Sequence, residues 1–470
     1  MSAFNGAGQF IISGVGLPVV FGTTISSSVM NQLNTDLAAG LSNCLCKDGQ
    51  QVPIANIPMG GYKLTGVGQA TGLGDVLGWG QAATVANLTD TGTTNLAALN
   101  VSGTLNVSGA LVNSAVSNPN LIINGDCRVS QYVWPITLNN STPAGFTADR
   151  QKSYWAASGA QTATVTVATD GPASIGLTRS VKYTVGTVAS IVSTDYFLHS
   201  YIIEAVDIEP LMWGTVNAKP ATLSFWVKCS IANANLGLVV DSADNALYWA
   251  TTYNTGSANT WKQITITIPG PTTGVWASSG VGLAIRWGFN SGSVRSTGTV
   301  GSWQATGTPI FDVAGQTGLS STTGATWQIT GIKLEVGSNA TPFVPDNFAL
   351  NFQKCLRYFE AFGDKGGQTI AVGYAISTTQ AVFVLPLMTR MRIQPNITFP
   401  DVSTAYQVTY QGSNASQPTA LAASVAGSSS TTVQIAFTMS GSNNPLFAGG
   451  QAVLFGSTGG PSRIYCDAEL

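Results

Sequence analysis

Six segments between residues 120 and 344 alternate apolar and polar side chains with a period of two. They are TATVTVAT (162–169), ATLSFWVKCS (221–230), LGLVVDS (236–242), WKQITITIPG (261–270), VGLAIRWGF (281–289) and ATWQITGIKLEVG (325–337). Turn-forming pairs such as Asp170 with Gly171 and Pro269 with Gly270 lie between them. Short alternating strands separated by turns are typical of a two-sheet sandwich or jelly roll. We therefore predict such a mainly β domain over residues 119–345.

The polar content of the chain comes mostly from uncharged residues. Of its 470 residues, 9% are charged and 44% are hydrophobic, whereas soluble domains average about 25% charged residues. Ser, Thr, Asn, Gln and 53 glycines supply much of the remaining composition, which suits short strands joined by tight turns. The formal net charge of −2 offers no basic surface, so we predict no nucleic-acid partner.

No segment is predicted to insert into a membrane. Polar residues, Gly and Pro interrupt every apolar run of residues 1–35, well short of the about 18 residues that a spanning helix needs. The basic start of a secretion signal is not found there. The six cysteines are spread along the chain, so we predict no disulfide framework and synthesis in a reducing cytoplasm. Cys44 and Cys46 are interpreted as half-buried small side chains rather than metal ligands.

The N-terminal region, residues 1–90, is predicted to contain one helix followed by an irregular segment. Ser26, Ser27 and Ser28 can cap a helix, and its apolar stripe would contain Met30, Leu33, Leu37, Leu41 and Cys44. Gly40 is a place where this helix could end. Residues 47–81 are rich in Gly and Pro and lack the periodicity of a domain core. We expect this region to become ordered by docking onto a larger assembly.

Residues 91–118 contain a six-residue repeat. LNVSG occurs at 99–103 and again at 105–109, and each copy offers a strand too short to bury a core of its own. Short β repeats need neighbours that complete the core. We predict an intertwined shaft of three chains with a shared core formed by Leu99, Val101, Leu105, Val107 and Leu111.

A third pattern begins after the sandwich. In DNFALNFQKCLRYFEAFG (346–363), Phe348, Phe352, Cys355, Phe359 and Phe362 recur at spacings of four and three, which predicts one connecting helix ending at Gly363. This seam suits a three-chain bundle, with Phe348, Phe352 and Phe359 in the trimer core, or packing on the terminal domain. Residues 364–470 return to strand patterns and are predicted to form a C-terminal β domain.

Several of these segments resemble the distal domain of bacteriophage tail fibres and related receptor-binding proteins. They are NPNLIINGDCRVSQ (118–131), the ADR at 148–150, residues 326–362, MRIQPNITF (391–399) and SRIYCDAEL (462–470). IPMGGYKLTGVGQATGLGD (57–75) is similar to the segment that follows the virion-attachment end of phage fibres, although Gly66 stands where that pattern usually has Asn. The resemblance is best over residues 118–362.

The resemblance implies an elongated homotrimeric fibre. The jelly roll would be similar to a carbohydrate-binding module, and the N-terminal region would attach to other virion proteins of the tail or the portal adaptor. The expected role is attachment to a host-surface glycan such as lipopolysaccharide or capsule. The expected location is the virion, on the tail or on the head, after synthesis in the cytoplasm of the bacterial host.

Aromatic residues near turns are the predicted glycan contacts, because ring faces can stack on the apolar C–H faces of sugars. The candidates are Trp134, Trp213, Trp249, Tyr253, Trp276 and Trp303. Stapling of loops and contacts between subunits remain alternative roles for Trp213 and Trp303.

The sequence predicts no catalytic site and no cofactor. His199 is the only histidine, which removes Ser-His and Cys-His arrangements and most zinc sites. Asp207 with Glu209, or Asp241 with Asp244, could be proposed as the carboxylate pair of a glycosidase. We expect these pairs instead to lie at a solvated edge or to hold calcium in a jelly-roll loop.

Two alternatives to a receptor-binding fibre stay open. One is a tailspike-like polysaccharide depolymerase, although such spikes usually need a long β-helix repeat and this chain has two clear repeat units. The other is a fibre that decorates the head without a receptor function.

Overall fold

The computed structural model describes residues 21, 22, 24, 26–42, 118–363, 367–377, 379–401, 405–410, 414–416, 420–424, 427–438, 452–457 and 461–470. The chain divides into two compact units, residues 1–104 and 105–470. The predicted shaft core, Leu99, Val101, Leu105, Val107 and Leu111, lies outside the described residues, as does the predicted docking segment 47–81.

Helix α1 (Ser27–Ser42) is the described element of the first unit. Ser26 caps it, because its Oγ accepts a hydrogen bond from the backbone N–H of Val29 at 3.4 Å. The predicted helix is therefore present, and it continues for two residues beyond Gly40. Met30 and Leu37 of the predicted stripe are exposed.

The second unit begins with a β-sandwich. Its elements in chain order are β1 (Ile136–Leu138), β2 (Ala144–Phe146), β3 (Gln151–Ala156), β4 (Ala163–Ala168), β5 (Ser180–Val185), β6 (Tyr196–Glu204), α2 (Ala205–Ile208), β7 (Ala221–Cys229), β8 (Asn235–Ser242), β9 (Leu247–Asn254), β10 (Lys262–Ile268), β11 (Val281–Gly288), β12 (Ser296–Thr297), β13 (Trp303–Ala305), β14 (Asp312–Val313) and β15 (Thr326–Val336).

Two antiparallel sheets form this sandwich. The first has the strand order β1-β4-β5-β15-β7-β10, and the second has the order β13-β9-β8-β11-β6-β3-β2. Side chains from both sheets share one core, in which Phe225, Trp287 and Trp327 are fully buried. All six strands predicted from alternation are present, as β4, β7, β8, β10, β11 and β15. The prediction of a mainly β chain containing a sandwich is confirmed.

The predicted connecting helix is shorter than expected. Helix α3 spans Phe348–Leu356, and the chain then forms strand β16 (Phe359–Phe362). The prediction of one helix over 346–363 is therefore wrong at its C-terminal half. The physical reason is tertiary pairing, because β16 hydrogen-bonds along its length with the C-terminal strand β25 (Ile464–Asp467). Phe359 is fully buried within one chain, which removes it from the predicted trimer core.

Helix α3 has one buried side and one exposed side, and its seam residues are found on both. Cys355 is fully buried, whereas Phe348 is 53% exposed and Leu350 is 46% exposed. Phe352 is half-buried and stacks on Phe348, with 6.2 Å between ring centroids. Phe348 and Phe352 therefore stay available for contacts outside the chain.

The C-terminal domain has its own core between two sheets. Its further strands are β17 (Thr369–Ala375), β18 (Gln380–Pro386), β19 (Asn396–Thr398), β20 (Tyr406–Tyr410), β21 (Asn414–Ser416), β22 (Ala420–Ser424), β23 (Thr432–Thr438) and β24 (Ala452–Ser457). A small sheet has the order β16-β25-β19, and the C-terminal sheet has the order β21-β20-β24-β17-β18-β23-β22. Phe383, Phe437 and Phe455 fill the space between them.

The segments that resemble phage fibres meet at the junction between the sandwich and the C-terminal domain. The Asn124 side chain donates to the carbonyl oxygens of Val129 and Asp149, both at 2.9 Å. Its backbone N–H donates to Oδ1 of Asn351 on α3 at 3.0 Å. Gln131 Nε2 donates to the carbonyl oxygen of Phe359 at 2.9 Å. These motif residues therefore have a structural role, since Asn124 joins the sandwich to α3 and Gln131 joins it to β16.

Charged groups strengthen the same junction. Arg150 and Glu469 form an ion pair and are both at least 95% buried, and the Arg150 guanidinium lies 3.7 Å from the ring centroid of Tyr358. Glu204 accepts hydrogen bonds from Arg357 and Tyr358, each at 2.8 Å. Burial alone would raise the pKa of Glu204, but these two bonds hold it below its ordinary value.

Candidate functional site

The outward face of the second sheet carries long polar and aromatic side chains. On β3, Lys152 and Tyr154 alternate with buried residues that face the core, because successive side chains of a strand point to opposite faces. The strand register places Lys152 beside Ser200 of β6, and Ser200 beside Arg286 of β11. Residues far apart in the sequence are thus neighbours on one rigid face.

Seven side chains on this side of the sandwich form a continuous series, which we name the cation–aromatic ladder. Its members are Phe146, Lys152, Tyr154, Tyr196, Phe311, Arg295 and Arg286. Lys152 Nζ lies 5.3 Å from the ring centroid of Phe146 and 5.4 Å from that of Tyr154. Tyr154 and Tyr196 have ring centroids 6.1 Å apart, and Tyr196 meets Phe311 edge to face at 5.0 Å.

Two arginines complete the ladder around Phe311. The guanidinium of Arg286 lies 4.5 Å from the Phe311 ring centroid, and that of Arg295 lies 5.3 Å from it. Arg295 is also 5.8 Å from the Tyr196 centroid. Cations within about 6 Å of a ring are attracted to its face. These contacts hold the aromatic rings and the charged groups in a fixed relative arrangement.

The Arg286 side chain is fixed by a buried carboxylate. Its Nε and Nη2 donate to Oδ2 of Asp241 at 3.0 and 2.9 Å, and Nη2 also donates to Oδ1 of Asn245 at 2.9 Å. Burial raises the pKa of Asp241, and Arg286 acts against that rise. The two-pronged pair orients the guanidinium beneath Phe311.

A strap of residues 295–313 crosses the second sheet and brings Phe311 to the ladder. Asp312 anchors it, since its Oδ2 accepts hydrogen bonds from the backbone N–H groups of Asn290 and Ser291 at 3.0 and 2.8 Å. Burial raises the pKa of Asp312 to about 6. Gly237 and Gly288 leave the space for its carboxylate, because a Cβ at either position would overlap it.

The exposed parts of the ladder have free hydrogen-bonding capacity. Tyr154 and Tyr196 are half-buried, and neither hydroxyl is hydrogen-bonded within the described part of the chain. Within the described part of the chain, Lys152 Nζ donates to one acceptor, the main-chain oxygen of Leu470 at 3.5 Å. The ladder therefore offers ring faces beside donors and acceptors that a polar ligand could use.

Three of the predicted aromatic contacts assemble into a separate cluster at one edge of the sandwich. The ring centroid of Trp213 is 4.9 Å from that of Trp276 and 5.4 Å from that of Trp303, and all three pairs meet edge to face. Trp213 Nε1 donates to the carbonyl oxygen of Lys219 at 2.8 Å, and Trp303 Nε1 to that of Pro269 at 2.6 Å. These contacts hold neighbouring loops together at the edge of the sandwich. They favour the alternative role of Trp213 and Trp303, which is the stapling of loops.

The other three predicted glycan contacts, Trp134, Trp249 and Tyr253, do not form a site with this cluster. Tyr253 is 5% exposed, and its hydroxyl accepts a hydrogen bond from Trp327 Nε1 at 3.1 Å in the core. Trp249 is also 5% exposed and pairs in register with Trp303. Burial therefore argues against a ligand contact at Tyr253 and Trp249. Trp134 is 41% exposed and precedes Pro135.

The two carboxylate pairs named in the sequence analysis are not arranged as a glycosidase pair. Asp207 lies in α2 and Glu209 in the following turn, so neither carboxylate is on a strand. Asp241 is paired with Arg286, and Asp244 accepts hydrogen bonds from Ser242 Oγ and the backbone N–H of Ala246 at 2.6 and 3.1 Å.

His199 belongs to the sandwich core. It is fully buried, with Nε2 2.9 Å from Oε1 of Gln151 and Nδ1 3.2 Å from the Tyr183 hydroxyl. Burial lowers its pKa to about 3, so this ring stays neutral at physiological pH.

The described residues also bear on metal binding and membrane insertion. Within those residues, no group of three or more His, Cys, Asp or Glu could hold a metal ion, and no helix has the length and hydrophobicity to cross a membrane. A polar cavity of about 420 Å³ lies at the junction. Its charged lining is bonded internally, with Lys354 on Asp346 at 2.6 Å and Lys333 on Glu335 at 3.3 Å.

The comparisons with known proteins give structural similarities of low score. No family model matches the chain, and no curated protein sequence matches it. The enzymatically active domain of tailspike protein 4 from bacteriophage CBA120 is similar over 46% of this chain, with 12% identity and a TM-score of 0.26. That match spans 21% of the tailspike chain.

Two carbohydrate-binding modules are also similar. TmCBM61, solved with β-1,4-galactotriose, matches over 46% of this chain and 99% of its own, with 11% identity and a TM-score of 0.23. The family 11 module of a cellulosomal cellulase of Clostridium thermocellum matches over 46% of this chain and 100% of its own, with 12% identity and a TM-score of 0.22. TM-scores below 0.5 assign neither a fold family nor a ligand, so the assignments below depend on residues.

Proposed function

We propose that this protein is a carbohydrate-binding virion fibre protein that attaches a phage to a glycan on the surface of its bacterial host. The observation that carries the proposal is the cation–aromatic ladder. Half-buried tyrosine rings beside arginine and lysine donors, all on one sheet face, match the amphipathic character of a sugar. The ring faces would stack on sugar C–H groups, and the charged groups would bind hydroxyls.

The ladder is rigid, which supports a site that is already formed before the ligand binds. Lys152, Tyr154, Tyr196 and Arg286 are on strands of one sheet, and Asp241 fixes Arg286. A site held in its bound arrangement loses little conformational entropy when a ligand binds. The ladder is therefore suited to a saccharide chain lying across the strands.

The virion role and the assembly are parts of the same proposal. The sequence resemblance to phage tail fibres supports attachment through the N-terminal region, assembly as a homotrimer and a location on the virion. Linked copies of a weak glycan site gain avidity from their effective concentration. The tail and head locations remain alternatives that imaging of virions carrying a labelled fibre would distinguish.

We further propose that the protein binds glycan without cleaving it. Asp241 and Asp312, two carboxylates that lie beside the ladder, are at most 1% exposed, and Asp241 is paired with Arg286. A glycosidase needs two carboxyl groups that reach the scissile bond. A depolymerase is the alternative function.

One experiment tests binding and cleavage together. The purified full-length protein is applied to an array of bacterial lipopolysaccharides and capsular polysaccharides, and each polysaccharide it binds is incubated with it and assayed for new reducing ends. We expect binding to at least one polysaccharide and no release of reducing ends. Absence of binding across the array would contradict the glycan-binding proposal, and release of oligosaccharide would favour the depolymerase.

A further inference from the structure

The outward face of the C-terminal sheet is apolar and exposed within the described residues. Val372 of β17 is 62% exposed, Tyr374 48%, Val384 of β18 45% and Leu454 of β24 41%. The register pairs Val372 with both Val384 and Leu454. These side chains therefore form one contiguous row across three adjacent strands, which is more than the scattered apolar exposure usual for a protein surface.

The seven strands of this sheet contain no charged residue. No Asp, Glu, Lys or Arg occurs in β17, β18, β20, β21, β22, β23 or β24. The surfaces of soluble proteins normally carry interspersed charged side chains that keep them from associating. An uncharged, apolar sheet face indicates a surface that another molecule covers.

We infer that this face is an interface between copies of this chain. In an assembly with rotational symmetry, side chains near the axis lie close to their own copies on the other subunits. Like charges would then repel one another near the axis, so a self-interface benefits from a face without charge. Valine, leucine, threonine and glutamine side chains can pack against an identical set.

The size of the face fits a protein partner. The seven strands contain 40 residues, and each residue covers about 16 Å² of sheet, at about 3.4 Å along the strand and about 4.8 Å between strands. The face therefore covers roughly 650 Å², which approaches the about 800 Å² that each partner buries in a standard interface.

The chemistry of the face disfavours a glycan as its occupant. Tyr374 is the one strongly exposed aromatic ring among the side chains of this sheet whose burial is described, and the row of Leu454, Val372 and Val384 has no polar side-chain atoms. A saccharide placed on that row would leave hydroxyl groups without hydrogen-bond partners. The same apolar row on a second copy of this chain has no polar side-chain atoms that need partners. We therefore assign a second copy as the molecule that covers this face.

The test is the sedimentation velocity of the full-length protein, because self-association is measured without any glycan and is separate from the ladder. We expect the native protein to sediment as an oligomer, and the Val372→Glu/Leu454→Glu double variant to dissociate or to show at least a tenfold weaker association. Val216→Glu is the control, since Val216 is a 90% exposed valine of the sandwich, and it should sediment like the native protein.

A monomeric native protein, or a double variant that associates as tightly as the native one, would overturn the inference. Equal dissociation of the Val216→Glu control would also overturn it. A second measurement covers the case in which the double variant does not fold. A photo-crosslinking amino acid in place of Val384 should join two copies of the chain, and the same amino acid in place of Val216 should not. Absence of a crosslink through position 384 would contradict the interface.

Discussion

At the scale of single residues, two glycines determine where the strap lies. Gly288 of β11 and Gly237 of β8 face the carboxylate of Asp312, which holds the strap and therefore Phe311 in place. A methyl group at either position would overlap that carboxylate. The sequence shows the glycines but gives no sign that a carboxylate of β14, 24 residues beyond Gly288, occupies the space.

Gly288→Ala is expected to destabilise the sandwich and to disturb the ladder. The added Cβ forces Asp312 and the strap to move, which should cost about 1–3 kcal/mol in the free energy of unfolding. Thermal unfolding measures the loss, and near-ultraviolet circular dichroism reports the displaced aromatic rings.

Gly298→Ala is the matched control from the same strap. A Cβ there meets no atom within 4 Å, so its stability should stay within about 0.5 kcal/mol of the native value. Equal stability of Gly288→Ala and Gly298→Ala would mean that Asp312 does not fix the strap in the way described.

Asp149 links stability to pH. It is fully buried and accepts hydrogen bonds from the backbone N–H and side-chain Nε2 of Gln131 at 2.8 and 2.6 Å. Burial raises its pKa to about 7, above the about 3.9 of an unfolded chain. The folded protein therefore retains a proton that the unfolded chain releases. The resulting stabilisation is complete below about pH 4 and is lost as the pH rises to about 7.

We expect the stability of the native protein to fall, relative to Asp149→Asn, as the pH rises from 4.5 to 7.5. The relative change is at most about 4 kcal/mol, since each pKa unit corresponds to about 1.4 kcal/mol. Thermal unfolding of both proteins across this range is the measurement. Parallel pH profiles would show that Asp149 titrates in the folded state as it does in the unfolded one.

At the scale of elements, alternation predicted strands well because it is a local property. The polar residues of TATVTVAT and the other five segments mark one face of each strand without information about its neighbours. The ladder depends on sheet order, which is not local. Lys152, Tyr196 and Arg286 are on three strands whose adjacency follows from the order β11-β6-β3. Their polarity was visible in the sequence, but their proximity was not.

At the end of α3, a local pattern predicted the wrong secondary structure. The spacing of Phe359 and Phe362 continues the helical seam, yet both residues lie in β16 because β25 supplies backbone hydrogen bonds there. A strand from the other end of the domain overrides the helical pattern. Trp249 shows a related limit, because it was expected near a turn but lies in β9, paired with Trp303 and 5% exposed. Glycan contact by the six aromatic candidates stays a prediction.

Arg150→Ala is expected to weaken the junction between the sandwich and the C-terminal domain. Removing one partner of a buried ion pair leaves Glu469 charged and without its cation, which costs about 3–5 kcal/mol. The stacking of the guanidinium on Tyr358 is lost as well. Urea unfolding of the full-length protein should show the C-terminal domain unfolding earlier.

Arg390→Ala controls for loss of a positive charge in the same region. Arg390 is exposed and has no ion pair among the described residues, so its removal should change stability by no more than about 0.5 kcal/mol. Unfolding of Arg150→Ala at the same urea concentration as Arg390→Ala would contradict a stabilising role for this ion pair.

At the scale of the whole molecule, the described domains have separate roles in the proposed fibre. The sandwich holds the ladder, the junction fixes it relative to the C-terminal domain, and the C-terminal sheet is the inferred self-interface. Copies joined through that sheet would present several ladders to one cell surface. The combined affinity could then exceed that of a single site by about 10² to 10⁴.

The central claim is that the ladder, rather than the tryptophan cluster, binds glycan. Isothermal titration calorimetry with a bound polysaccharide fragment tests it on three proteins: the native chain, Tyr154→Ala/Tyr196→Ala and Trp276→Ala. Loss of two stacking rings, each worth about 0.5–1.5 kcal/mol, predicts at least about fivefold weaker binding by the double variant. Trp276→Ala should bind as the native protein does. Native affinity in the double variant, or weaker binding in Trp276→Ala alone, would contradict the claim.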